Sequence, residues 1–346
     1  MFKNKGFIST LVVLCLVLVV GFFTEGKHQA ETTDSKTNTS ESKAKTSYKV
    51  GLLQFVSHPA LDQITAGVRE GLKESGLIEG ENLEIIFQNG QADQSKLTTM
   101  SQQLINKGSD ILVGIATPAA QALANQTNEL PIILGAVTDP VGAGLVENME
   151  IPGANITGVS DKAPVLEQLK LAQELLPNAK KVGILYSSAE DNSKYQVAEA
   201  VKIAKELGLS TEEFSVPSTN EVSQVVQVMA QQVDFIYIPL DNIIANAMPA
   251  VVNEANKLKV PIITSADTMV AEGGLATIGI NQFSIGVQAG KMAASVLRGE
   301  AQPQTTPVYT FTEGDLILNE KQAELLQIEI PEKLKVNAVI VGGDNK

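Results

Sequence analysis

One pattern occurs twice along this chain, and it constrains the fold more than any other feature of the sequence. Short apolar runs of strand length alternate with segments whose apolar residues follow helical spacing. Three stretches recur 124 to 132 residues later: Lys49–Gln54 as Lys181–Tyr186, Ser109–Gly114 as Val233–Ile238, and Pro131–Leu134 as Pro261–Thr264. Their shared order and offset predict two similarly built lobes.

The apolar runs predict a parallel sheet in each lobe. In the first lobe the predicted strands and helices are Val50–Gln54, Leu83–Gln88, Asp93–Lys107, Ile111–Ile115, Ala119–Thr127 and Ile132–Ala136. Because near-continuous apolar strands separated by helices are typical of parallel sheets covered on both faces, the fold class is α/β. A chain of 346 residues has room for two such cores.

Charge and composition exclude several classes of function. The formal net charge of −13 argues against nucleic-acid binding, which needs clustered Lys and Arg to neutralise phosphates. With one cysteine, Cys15, and two histidines, His28 and His58, neither a disulfide framework nor a metal site is expected. Glycine-rich dinucleotide and phosphate loops are also absent from the sequence, so no cofactor is expected.

The N-terminus predicts export. Lys3 and Lys5 precede an apolar run over 7–23, so residues 1–25 are interpreted as a signal sequence or membrane anchor. No small-residue cleavage pattern follows the run, which favours an uncleaved anchor. Cys15 follows Leu14 in the middle of the run, which does not match a lipidation site. Residues 26–47 are polar and predict a disordered tether outside the membrane.

Ligands of open parallel sheets bind where the carboxyl ends of strands lead into helices. The corresponding loops here are Phe55–Pro59, Ala116–Ala119, Thr138–Pro140, Ser187–Ser193, Leu240–Asn242 and Ser265–Asp267. All are rich in small polar residues, including Thr138, Asn242 and Ser265. We therefore expect a ligand cleft between the lobes, with closure of the lobes as its mechanism.

Two of these loops lead into predicted helices whose N-termini could bind an anion. Ser57 is a candidate N-cap with Pro59 in the first turn, and Thr117-Pro118-Ala119 repeats this design. Free amide groups and the helix dipole at two such ends suit a carboxylate. The alternative is two ordinary helix caps.

Polar residues after the first strand of the second lobe supply further candidates. Ser187, Ser188 and Asn192 have hydrogen-bonding groups that suit a ligand. Glu190 and Asp191 are expected to favour the first turn of the next helix instead.

Other candidates have two interpretations each. Asp241 follows a buried strand, and its carboxylate either pairs with a ligand ammonium group or caps the next helix. Asp139 either binds the ligand or starts an Asp-Pro turn. Phe55 packs on an apolar ligand group or in the core. His58, in the same loop as Ser57, is a further candidate ligand contact. Catalysis by Ser57 and His58 is not expected, because neighbouring residues point apart and no nucleophile elbow is present.

The later part of the chain predicts a hinge of several crossings. A strand at Ala276–Ile280 and a helix at Phe283–Leu297 are expected to return to the first lobe, and the following residues to the second. The predicted first lobe is therefore 48–159 with 280–306, and the predicted second lobe is 160–279 with 307–335.

The folded part resembles the substrate-binding proteins of ABC importers, in particular those for tryptophan and other aromatic amino acids. The stretches that carry the resemblance are Leu53–Asp62, Gly114–Gln121, Thr138–Pro140, Tyr186–Ser193, Val216–Glu221 and Pro239–Asn242. The resemblance implies a type I periplasmic-binding-protein fold that delivers an aromatic amino acid, tryptophan first, to a permease and its ATPase, with the receptor a monomer. It also implies that the protein is not an enzyme.

The residues themselves leave other functions open. A receptor for another amino acid, a nucleoside or a sugar uses the same architecture, although the absence of Trp is unfavourable for sugar stacking. An anchored sensor module, or an enzyme that uses the same cleft, belongs to a different class of function.

Overall fold

The computed structural model describes residues 47–342 of the chain. The predicted anchor over 1–25, and the predicted tether except for its last residue, lie outside the described residues. Among residues 47–342, no helix combines the length and apolar character needed to cross a bilayer. In the same span, no group of three or more His, Cys, Asp or Glu side chains is placed to hold a metal ion.

The first lobe is built on a six-stranded sheet with the order β11-β5-β4-β3-β1-β2, in which all pairs are parallel. Its strands are β1 (Tyr48–Gln54), β2 (Leu83–Asn89), β3 (Ile111–Ile115), β4 (Ile132–Gly135), β5 (Ile156–Ser160) and β11 (Tyr309–Thr310). Its helices are α1 (Pro59–Glu74), α2 (Gln94–Asn106), α3 (Thr117–Ala124) and α10 (Gln282–Leu297). Strands β1, β3, β4 and β5 are almost wholly buried, because helices cover both faces of the sheet.

The second lobe is built on a seven-stranded sheet with the order β13-β12-β10-β9-β8-β6-β7, and only the β10–β12 pair is antiparallel. Its strands are β6 (Lys181–Ser187), β7 (Ser210–Val216), β8 (Phe235–Ile238), β9 (Ile262–Thr264), β10 (Ala276–Gly279), β12 (Asp315–Asn319) and β13 (Val339–Val341). Its helices are α4 (Val165–Leu175), α5 (Asp191–Glu206), α6 (Val222–Met229), α7 (Asn242–Asn246), α8 (Met248–Lys257), α9 (Asp267–Ala271), α11 (Glu320–Leu326) and α12 (Glu332–Lys335). The predicted two-lobed α/β class is confirmed.

Helix α10 packs closely on α1, and glycines make the approach possible. A methyl group at Gly67 would meet the carbonyl oxygen of Phe283, and one at Gly286 would meet that of Ile64, well inside contact distance. The two helices therefore touch backbone to backbone. This packing fixes α1, whose N-terminus faces the other lobe.

The chain crosses between the sheets three times: after β5, after β10 and after β11. The expected third crossing at residue 307 is corrected to the segment between Thr310 and Asp315. Two hydrogen bonds hold the preceding residues on the first lobe: Thr157 Oγ1 donates to Thr306 O at 2.7 Å, and Val308 N donates to Met149 O at 2.7 Å. The second sheet also extends past residue 335, because β13 pairs with β12.

Candidate functional site

A cavity lies where the carboxyl ends of the strands of the two sheets face each other. It is lined by His58, Ala60, Leu61, Ala116, Thr117, Ala136, Thr138, Asp161, Asn192, Leu240, Asp241, Asn242, Ala245, Ala266, Met269 and Gln282. Its volume is about 20 Å³, which is room for about one water molecule. The lobes are thus drawn together, and a larger ligand enters only when they separate.

Two helix N-termini form the wall contributed by the first lobe. Helix α1 presents Ala60 and Leu61 to the cavity, and α3 presents Thr117. The N-cap positions are His58 and Ala116, and neither side chain caps its helix. The caps expected at Ser57 and Thr117 are therefore corrected by one residue each. The first amide groups of both helices remain without intrahelical partners, which leaves positive dipole ends at the cavity.

The same wall contains a strained backbone. Ala116 follows β3 with φ 74°, and Ala136 follows β4 with φ 69°. Residues with a Cβ rarely adopt positive φ, and each such position costs roughly 1–3 kcal/mol. Both alanines line the cavity, so the strain lies at the site.

Asp161 lies in the first crossing and places a carboxylate at the cavity. Thr138 Oγ1 donates a hydrogen bond of 2.9 Å to its Oδ1, and both side chains are buried. Burial raises the pKa of Asp161 to about 6, and the bond from Thr138 opposes that shift. Asp161 is not among the predicted site residues, because the strand before it, β5, was not recognised in the sequence.

Asp241 caps helix α7, as the alternative interpretation held. Its Oδ1 accepts from Ile244 N at 2.8 Å, and its Oδ2 accepts from Ser187 N at 2.5 Å and Ser193 Oγ at 2.7 Å. Burial raises the pKa of this carboxyl group, and these hydrogen bonds oppose the shift. Asp241 lines the cavity, but protein donors already occupy both oxygens.

Glu190 plays a different part from the one expected of it. Its side chain does not cap α5; instead it accepts hydrogen bonds from Asn242 Nδ2 and from Ile243 N, the latter at 2.9 Å. Burial, and then the nearby charge of Asp241, raise the pKa of Glu190 above its ordinary value. Two buried carboxyl groups thus organise the wall contributed by the second lobe.

A hydrogen bond joins the two walls. His58 Nε2 lies 3.2 Å from Asn242 Oδ1, and both side chains are buried. Burial lowers the pKa of His58 to about 4. Two further bonds cross the cleft: Gln94 Nε2 donates to Ala189 O at 2.8 Å, and Gln121 Nε2 donates to Asp191 Oδ2 at 3.3 Å.

Several predicted site residues do not line the cavity. Phe55 is packed in the first-lobe core, which agrees with its alternative interpretation. Ser57 is exposed and donates to Asp62 Oδ2 at 2.7 Å. Ser188 is exposed beside Val216, and Ser265 is buried against Tyr237. None of these four side chains is placed to touch a ligand in this closed cavity.

The remaining predicted residues support the cavity from behind. Pro118 and Ala119 form the buried first turn of α3 behind Thr117. Ser187 donates its backbone N–H to Asp241. Asp139 Oδ1 accepts from Gly142 N at 2.9 Å, as expected of an Asp-Pro turn, and lines an adjoining space of about 250 Å³.

Comparison with known proteins identifies the family. A family model described as ABC transporter substrate binding protein matches residues 49–341. A tyrosine-binding protein of Clostridioides difficile (strain R20291) is 35% identical over 331 residues, which are 95% of this chain and 94% of the relative. The extent of both matches confirms the resemblance seen in the sequence.

Solved structures show the same fold. An ABC domain from Streptococcus pneumoniae in complex with L-Trp is 49% identical, with a TM-score of 0.83; the alignment covers 85% of this chain and 99% of that one. A conserved domain protein from Vibrio cholerae is 37% identical and has the same coverage and TM-score.

A third structure differs in the arrangement of its lobes. The ligand-free, open structure of CD0873, a substrate-binding protein from Clostridium difficile, is also 37% identical with the same coverage, but its TM-score is 0.66. Since identity and coverage equal those of the Vibrio cholerae protein, the lower score reflects arrangement rather than sequence. The lobes of the present structure are closed in comparison.

These comparisons also decide the class of function. Members of the matched family are solute receptors that act outside the cytoplasm, in association with an ABC transporter, and are not enzymes. The expected non-enzymatic function is thereby confirmed. The chain belongs to the family of ABC transporter substrate-binding proteins.

Proposed function

We propose that this protein is the receptor of an ABC importer for a free aromatic amino acid, tryptophan or tyrosine, which it holds between its closed lobes. The related protein of Clostridioides difficile binds tyrosine, and the domain from Streptococcus pneumoniae was solved with L-Trp. Both relatives match over nearly the whole folded part, so the cleft is included in the likeness.

The observation that carries this proposal is the charge pattern of the cavity. On one side are the N-termini of α1 and α3, at Ala60, Leu61 and Thr117, which suit a carboxylate. On another side is the carboxylate of Asp161, which suits an ammonium group and is strengthened by desolvation. A free amino acid carries both groups on one carbon atom.

The rest of the cavity suits an apolar side chain. Leu61, Leu240, Ala245 and Met269 line it, and among the residues that the structure describes no Phe, Tyr or Trp side chain does so. Methionine sulfur makes favourable contacts with aromatic rings. We therefore assign side-chain packing to these residues in place of Phe55.

Lobe closure is the proposed mechanism. Contacts between ligand and both walls favour the closed state, in which His58 binds Asn242. Asp241, Asn192 and Ser187 act by holding the second wall in shape. In our proposal the closed monomer docks on a permease driven by its ATPase, and residues 1–47 tether it to the membrane. The moving bodies are the two predicted lobes, with the third crossing shifted to 311–314.

Isothermal titration calorimetry of the full-length chain with each free amino acid tests the proposal. We expect tight binding of tryptophan or tyrosine, and binding about 10- to 100-fold weaker in Asp161→Asn, because a charge-assisted contact is lost. Asp315→Asn, a change of the same kind at an exposed site, serves as the control and should bind normally. If no amino acid binds, or if Asp161→Asn binds as well as the unaltered protein, the proposal is wrong.

A further inference from the structure

Two hydrogen-bond acceptors at the cavity are buried and lack partners. His58 Nδ1 belongs to the first lobe and Asn192 Oδ1 to the second; among the described residues neither atom has a hydrogen-bond partner. The two side chains are 6% and 5% exposed, and both line the cavity. Since buried polar atoms are nearly always paired, these two are placed for groups that the protein itself does not supply.

The surrounding hydrogen bonds determine that His58 Nδ1 is an acceptor. Glu190 accepts from Asn242 Nδ2, so the amide of Asn242 turns its oxygen towards His58. That oxygen requires a proton on His58 Nε2, and a neutral imidazole then has a lone pair on Nδ1. Glu190 thus sets the tautomer of His58 from the opposite lobe.

The orientation of Asn192 is fixed in a similar way. Its Nδ2 donates to Leu240 O at 2.8 Å, which assigns the nitrogen to that side and leaves Oδ1 on the other. Neither buried acceptor therefore becomes a donor by a simple flip of the amide or by a change of tautomer.

Asp161 and His58 reach the cavity from different parts of the first sheet. Asp161 follows β5 and His58 follows β1, with β4 and β3 between these strands. Because Asp161 is the charged partner that suits the ammonium group, we assign the donor that meets His58 to another part of the ligand.

We infer that the site selects aromatic amino acids whose side chain carries an N–H or O–H group. In this inference His58 Nδ1 accepts a hydrogen bond from that group, and Asn192 Oδ1 is the second acceptor. This inference rests on the proposed function. Closing the lobes on a side chain without such a donor leaves buried acceptors unpaired, and sites built in this way reject the analogue that lacks the group. Tryptophan and tyrosine carry the donor, whereas phenylalanine does not.

Calorimetry of the full-length chain with matched ligands tests the inference. The probes are L-tryptophan, L-tyrosine, L-phenylalanine and 3-(3-benzothienyl)-L-alanine, in which sulfur replaces the indole N–H. We expect the two probes that lack a side-chain donor to bind about 10- to 100-fold more weakly than L-tryptophan. Equal binding of L-tryptophan and its benzothienyl analogue would overturn the inference and leave the proposed function intact. A failure of all four probes would instead refute the proposed function.

Variants locate the acceptor. In His58→Leu we expect the affinity ratio between L-tryptophan and its benzothienyl analogue to fall towards one, and Asn192→Leu should lower it less. Asn220→Leu, at an exposed site of the second lobe, is the matched control and should keep the full ratio. An unchanged ratio in His58→Leu would contradict the role of His58.

Histidine-selective ¹⁵N NMR gives an independent result on the unaltered protein, since the chain has only two histidines. We expect an Nε2–H tautomer for His58, and an upfield shift of its Nδ1 resonance with L-tryptophan but not with the benzothienyl analogue. A doubly protonated ring in the L-tryptophan complex at neutral pH would overturn the inference.

Discussion

The two walls of the cleft present different chemical groups to the cavity. The first lobe presents backbone amides at the starts of α1 and α3, and a strained backbone at Ala116 and Ala136. The second lobe presents a network of buried side chains, in which Glu190 and Asp241 receive hydrogen bonds from α7 and β6. The amide groups of the first wall are positioned by the path of the chain, and His58 and Thr138 add side chains there. The second wall is formed mainly by buried side chains that hydrogen-bond to one another and to the backbone.

This difference predicts unequal sensitivity to mutation. A backbone amide survives a change of side chain, so the first wall depends mainly on how its helices are packed. A buried side-chain network loses much of its stability when one member is removed, because the remaining groups are left unpaired. The sharpest tests therefore compare substitutions on the two walls.

The largest expected effect comes from Asp241→Ala on the second wall. The change leaves the amide groups of Ser187 and Ile244 and the hydroxyl group of Ser193 unpaired, which should cost about 3 kcal/mol of unfolding free energy. Thr117→Ala on the first wall keeps its backbone N–H and should cost about 1 kcal/mol. Urea unfolding measures both, and equal losses would contradict the difference between the walls.

The position of α1 in the first wall depends on its close packing against α10. Gly286→Val places a branched side chain against the backbone of Ile64, so α10 and α1 must separate. We expect a loss of about 2–3 kcal/mol of unfolding free energy, and weaker ligand binding because the N-terminus of α1 moves. Gln288→Val, a half-buried site on the same helix, is the control. Similar losses in the two variants would show that the close approach of the helices is not required.

Acid should weaken ligand binding. His58 has a pKa of about 4 in the closed protein, below its ordinary value of 6.5, so protonation opposes closure as the pH falls from 6.5 towards 4. Burial raises the pKa of Asp161 to about 6, so it also loses its charge in acid. We expect affinity about 10-fold lower at pH 5.5 than at pH 7.5 from His58 alone. His58→Gln should retain only the contribution of Asp161, and a profile identical to that of the unaltered protein would argue against the role of His58.

A smaller effect is expected where the backbone is strained. Glycine adopts the φ of 74° found at Ala116 without steric cost, so Ala116→Gly should raise the unfolding free energy by about 0.5–1 kcal/mol. Thermal unfolding measures this change. A lower melting temperature would show that packing of the Ala116 Cβ stabilises the protein by more than the strained backbone destabilises it.

Much of the fold was predictable because it rests on periodicity. The apolar strand β3 was predicted with its observed bounds, and β1 and β4 were predicted to within two residues. The edge strand β7 is largely polar and half exposed, and no apolar pattern marks it. The helix pair α1 and α10 was missed as a pair, because glycines that permit close approach give no signal until the partner helix is known.

The site was predictable as a set of loops but not in its detailed contacts. All six predicted loops, which follow β1, β3, β4, β6, β8 and β9, supply residues to the cavity. The contacts of Glu190 with Asn242, and of Ser57 with Asp62, depend on side-chain directions that residue spacing does not determine. Asp161 was not predicted because it directly follows β5, a strand that was not recognised in the sequence, at the start of a crossing between the lobes.

The central claim is that an aromatic amino acid closes the two lobes around itself. Spin labels at Val141 and Asn220, exposed sites on opposite lobes, report the opening of the cleft by double electron–electron resonance in a Cys15→Ser background. Without ligand we expect a broad distribution that includes long distances, and with L-tryptophan a single shorter distance. A distribution that L-tryptophan, bound in calorimetry, leaves unchanged would contradict the account.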